Sequence, residues 1–116
     1  MPNYQMVRSC LLMCIAVVFF ATMSSASDDA KASPGEAIFK ARCILCHGSD
    51  GTANTNMGKQ LQARDLHNRE VQKLSDAEMK QIISQGKSNM PPFEGQLSSE
   101  EIAQVVKYVR QFGKKK

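Results

Sequence analysis

Residues 43–47 read Cys-Ile-Leu-Cys-His. Two cysteines three apart, followed at once by a histidine, are suited to three kinds of chemistry. On one helical turn each thiol can add across a vinyl group of haem, and the adjacent imidazole then lies beneath the iron as an axial ligand. A bare C-x-x-C also suits a thioredoxin-like dithiol or half of a zinc site. No second C-x-x-C and no H-x-x-x-H follows, so zinc would depend on two cysteines and scattered histidines. No strand-rich βαβ pattern surrounds the motif, which argues against the dithiol. The preferred reading makes Cys43 and Cys46 the thioether attachment points of one haem c and His47 the proximal iron ligand.

An iron held by His47 has a second face, and a thioether is a natural soft ligand for it. Met90 lies in Gly86-Lys87-Ser88-Asn89-Met90-Pro91-Pro92-Phe93, where the following prolines restrict the backbone and could aim the sulfur inward. A loop methionine is more often an adaptable apolar contact. The competitors are poorer still. Met79 falls in a helix, Met57 stands only ten residues past His47, and His67 sits in a polar stretch where a solvated histidine is the common case. Met90 is therefore the distal candidate, and His67 is the alternative.

The elements that must position these residues are helical. Pro34-Gly35 opens a helix that runs through Arg42 into the motif, with Phe39 one turn before Cys43. Residues 48–62 are rich in glycine and asparagine and predict a loop, anchored by Met57, Leu61 and Leu66. A short helix is expected within 63–70, with Asp65 as its cap. Ser75 and Glu78 form a capping box with Leu74 and Met79 as its staple, and Gly86 ends that helix. Ser98 with Glu101, and Leu97 with Ile102, repeat the device. Ile102, Val105, Val106, Val109 and Phe112 then keep helical spacing as far as Gly113. The predicted fold class is all-α.

Arg8, the apolar run Cys10–Ala21 and the small residues Ser24-Ser25-Ala26 predict a cleaved signal peptide over 1–26, because the run is shorter than the ~20 residues of a membrane span. The rival readings are an uncleaved anchor that tethers the protein to the membrane, or a lipid anchor at Cys14. The expected organisation is then a disordered leader over 27–33, one domain over 34–113 and a basic tail over 114–116. Only Cys43 and Cys46 survive cleavage, which excludes a structural disulfide framework. The 90 residues from Ser27 onward carry Tyr108, Phe39, Phe93 and Phe112 but no tryptophan. So small a chain has a marginal core unless something large fills it, and a covalent haem would. Removing Arg8 leaves 14 Lys and Arg against 11 Asp and Glu, a net +3. Lys114-Lys115-Lys116 complements the negative end of the last helix and lacks the aromatic interleaving of a nucleic-acid surface.

From about Pro34 to Phe112 the chain resembles the small class I c-type cytochromes, notably the short monohaem forms of bacterial respiratory and photosynthetic chains. The resemblance rests on the C-x-x-C-H, on Gly35 and Phe39 ahead of it, on Val105 and Tyr108 in the last helix, and on Asn89-Met90-Pro91-Pro92-Phe93. It implies a cytochrome c fold of three main helices and a short one wrapped around the haem. It also implies that the first and last helices cross through Gly35, Phe39, Val105 and Tyr108. Family members commonly place a proline after the motif, whose carbonyl accepts the proximal histidine's Nδ1–H, and a tryptophan near a propionate. No proline occurs between Gly48 and Met90 and no tryptophan at all, so no acceptor for His47 is named; Arg64, Gln60 and Lys59 stand as propionate candidates.

The expected function is periplasmic electron transfer between transient redox protein partners, with no enzymatic activity, no small-molecule substrate and no nucleic acid. Ile44, Leu45, Met57 and Pro91 are the expected apolar docking rim, with Lys59 or Lys87 steering the approach. The alternatives are a haem subunit of a larger oxidoreductase, and a haem enzyme or gas sensor with an open sixth position.

Overall fold

The computed structural model describes residues 31–114. The expected signal peptide, most of the expected leader and the last two lysines lie outside them. Among the described residues there are six helices, α1 (Pro34–Arg42), α2 (Ile44–His47), α3 (Asn56–Gln60), α4 (Arg69–Gln72), α5 (Asp76–Gln85) and α6 (Ser99–Phe112), and no strand. The all-α expectation holds.

Helix starts follow local capping chemistry. Ser33, expected to end the leader, is the N-cap of α1, and its hydroxyl accepts from the Glu36 N–H at 3.2 Å. Pro34 follows in the first turn, where a missing N–H costs nothing. Both capping boxes are complete: Ser75 and Glu78 open α5, and Ser98 and Glu101 open α6.

The core lies where α6 meets α1 and α5. Phe39, Met79, Val105, Val106, Val109 and Phe112 are all buried there, with Leu66 and Val71 from the connecting segment. Phe39 is the centre of an aromatic group, its ring 5.3 Å from Tyr108 and 5.5 Å from Phe112. Such tilted pairs add a little to the area they bury. α1 can come this close to α6 because residue 35 is glycine: a Cβ there would run into the Gln104 carbonyl oxygen and lie 3.2 Å from the Tyr108 Cβ. The crossing implied for Gly35, Phe39, Val105 and Tyr108 is the one the structure has.

Arg110 locks the outer side of this core. Its guanidinium donates to the carbonyls of Gln72 at 2.7 Å and Leu74 at 2.5 Å, and to the Asp76 carboxylate. The turn between α4 and α5 is thereby fastened to α6.

Two local expectations differ from the structure. The predicted loop 48–62 contains α3, because the Thr55 hydroxyl accepts from the Gly58 N–H at 2.8 Å and caps a turn that the Asn and Gly content had masked. The short helix expected within 63–70 sits later, at Arg69–Gln72, capped by Asn68 rather than Asp65. Asp65 instead accepts from the His67 backbone and ring, an alternative use of a short acidic side chain.

Candidate haem site

Cys43 is the joint between α1 and α2. Its N–H reaches the Phe39 carbonyl at 2.9 Å, and its own carbonyl accepts from Cys46 at 3.3 Å and His47 at 2.9 Å. Both cysteines and the histidine thus share one turn. The thiols are free and half-buried. Burial, and then the neighbouring Cys46, push the Cys43 thiol up to about 11. That is the reverse of the acidified thiol that a dithiol redox centre uses. Among the described residues no group of three His, Cys, Asp or Glu is placed to hold a metal ion, which further disfavours zinc.

The second half of the site is built by α3. Its cap residue Thr55 lies against the motif, with the hydroxyl 2.8 Å from the Leu45 carbonyl and 3.1 Å from that of Cys46. Gly58 is pressed onto the same turn: a Cβ there would strike the Cys46 carbonyl and lie 2.5 Å from the Ala53 oxygen. From this seat the chain turns back through Gln62, whose φ is +55°, and the Ala63 N–H closes on the Gly58 carbonyl at 2.8 Å. Arg64 is delivered beside the motif histidine.

His47 Nδ1 lies 3.0 Å from the Arg64 carbonyl oxygen. A carbonyl only accepts, so the imidazole carries a proton on Nδ1, and in the neutral ring the lone pair is then on Nε2, the atom a metal would use. Burial lowers the His47 pKa below the ordinary 6.5, although the Arg64 bond opposes it, which favours the neutral ring that ligation needs. The acceptor that the missing proline left unnamed is the Arg64 backbone. Thr55 and the Arg64 carbonyl both escaped sequence reasoning; a threonine three residues before Gly58 was the available signal for the first.

His67 has its Nδ1 2.8 Å from Asp65 and its ring edge-on to Phe112 at 5.3 Å, so the ring already has two partners. Met57, expected as an apolar anchor, is 37 % exposed, because Gly58 rather than Met57 faces the motif. Met79 is buried in the core. Met90 is half-buried in a turn closed by reciprocal bonds with Lys87 at 3.1 and 2.9 Å. Ile44 and Leu45, on the outside of α2, are exposed along with Met57.

Comparison with known proteins gives consistent results. The family profile described as cytochrome c oxidase, cbb3-type, subunit III matches residues 30–109. The chain belongs to the class I c-type cytochromes. It is 33 % identical over 98 residues to a cytochrome c6-like protein of Nostoc sp., covering 82 % of this chain and 86 % of that one. It is 37 % identical over 84 residues to the cbb3-type cytochrome c oxidase subunit FixP of Bradyrhizobium diazoefficiens, covering 71 % of this chain but only 28 % of that subunit. A solved c-type cytochrome, KustC0563, superposes with a TM-score of 0.62 at 36 % identity, covering 67 % of this chain and 95 % of that one.

As a c-type cytochrome the protein is a haem electron carrier, and its haem is covalently bound. The residues present fit such a group: two free thiols on one turn, and beside them an imidazole whose Nδ1 is held by the Arg64 carbonyl.

Proposed function

We propose that this cytochrome is an exported, periplasmic monohaem carrier that shuttles single electrons between transient protein partners. Cys43 and Cys46 hold the haem through thioethers, His47 is the proximal ligand and Met90 the distal one. When bound, the haem supplies a one-electron iron couple whose potential a thioether ligand raises. The chain's own residues do the rest. The Arg64 carbonyl holds the His47 proton at Nδ1, Thr55 and Gly58 hold Arg64 in reach, and the Lys87–Met90 turn presents the methionine. With His47 and Met90 both ligating it, a haem held here would have no vacancy for a substrate. Ile44, Leu45, Met57 and Pro91 form the apolar docking rim, small as befits a weak electron-transfer encounter.

The observation that carries this reading is the 3.0 Å contact between His47 and Arg64, which supports an imidazole prepared for ligation. The test is the optical spectrum of the exported protein, oxidised and reduced, beside that of Met90→Ala. Covalent haem with a methionine-to-ferric-iron band that the variant lacks is the expected result. Haem without that band in either protein would remove Met90 and favour an open site with catalysis or sensing; a colourless protein would remove the whole reading.

The likeness to FixP favours a second reading, in which the chain works as a subunit of a larger oxidoreductase. Gel filtration of the native extract separates the two: a free carrier elutes near its own 12.8 kDa or below.

A further inference from the structure

The backbone of residues 86–93 is rooted at the end of α5. The Phe93 N–H bonds the Ile83 and Ser84 carbonyls at 3.0 and 3.1 Å, and the Glu94 N–H bonds Ser84 at 2.9 Å, so the turn grows from the end of α5. Two of its residues, Gly86 at φ +76° and Ser88 at φ +53°, occupy left-handed backbone. The far side of the turn is held by a side chain. Asn89 Nδ2 donates to the Leu61 carbonyl at 3.0 Å, across 28 residues of sequence. Leu61 caps α3, the helix seated on the motif turn, and stands three residues before the Arg64 carbonyl that orients His47. The segment 61–64 therefore offers one carbonyl to the proximal imidazole and another to the residue next to Met90.

We propose that Asn89 is a positioning residue that ties the Met90 turn to the segment orienting His47, and so sets how firmly the methionine holds its place. The proposal rests on Met90 being the distal ligand. Without the amide, the turn keeps its bonds to α5 and to residues 96–97 but loses its tie to the 61–64 segment, and conformers that withdraw the sulfur gain population. A single hydrogen bond of this kind shifts such an equilibrium by about threefold to tenfold.

The test uses imidazole as a soluble competitor for the ferric iron, titrated optically into the haem-loaded protein. Asn89→Ala is expected to bind imidazole about threefold to tenfold more tightly than the wild type. Ser98→Ala, which removes a helix cap on α6, is the control for general loosening and is expected to bind imidazole as the wild type does. Unchanged affinity in Asn89→Ala overturns the proposal, and so does an equal gain in Ser98→Ala. Met90→Ala distinguishes the remaining case: if it binds imidazole no more tightly than the wild type, Met90 is not the ligand and the proposal falls together with the distal assignment.

Discussion

His47 Nδ1 and the Arg64 carbonyl oxygen lie 3.0 Å apart, and the acceptor belongs to the main chain. A change of the exposed Arg64 side chain cannot remove it, whereas a change that shifts α3 can. Gly58→Ala would press a methyl group against the Cys46 carbonyl and is expected to cost about 1–3 kcal/mol. It should also lower the yield of haem-bearing protein. Arg64→Ala should leave that yield unchanged. Haem-to-protein absorbance ratios of the two purified variants measure both effects.

Phe39 is 1 % exposed and shares ring contacts with Tyr108 and Phe112. Phe39→Ala leaves a cavity at the crossing of α1 and α6 and is expected to cost about 3–5 kcal/mol, a large share of the ~5–15 kcal/mol that holds a domain together. The denaturant midpoint of the haem-bearing protein reports it.

The two capping boxes give the fold an acid limb. Glu78 and Glu101 accept the Ser75 and Ser98 backbone N–H groups at 2.7 Å, and these bonds, followed by the serine hydroxyls, hold both carboxyls below the ordinary 4.5. A carboxyl depressed in the folded state stabilises fully above its unfolded value and loses that contribution as pH falls through the folded one. The loss therefore falls below about pH 4.5. Melting temperature followed from about pH 6 to about pH 3 should drop less steeply in Glu78→Gln/Glu101→Gln than in the wild type.

Leu45 is 68 % exposed on α2, so it contributes little to folding. Leu45→Ala should change stability by no more than about 0.5 kcal/mol yet slow electron exchange with a redox partner. Charge reversal at Lys59 and Lys87 should flatten or invert the salt dependence of the same rate. Stopped-flow exchange at several ionic strengths measures all three variants, and an unaltered salt dependence would remove the steering role.

What the sequence disclosed, and what it did not, divides by range. α1, α5 and α6 were legible because their signals are local: Ser75 and Ser98 with their glutamates, the period of Ile102 through Phe112, the stop at Gly86. The motif turn was legible for the same reason. α3 was not, since five residues of mixed polarity carry no period and Thr55 earns its place by touching Leu45 and Cys46, contacts across the fold. Nor was the Arg64 carbonyl, because a main-chain acceptor has no residue type to read. Asp65 misled as a helix cap: its carboxylate had two donors on His67 to satisfy, and Asn68 capped the next turn instead.

The packing of Phe39 against Phe112 joins the first described helix to the last. Among the described residues α6 is the main partner of α1, so this crossing stays open until the chain through Phe112 is available. Throughout that interval Cys43 and Cys46 sit on an unfinished surface, with α1 lacking its partner. Both thiols, half-buried once the fold is complete, are therefore most accessible before the final helix arrives.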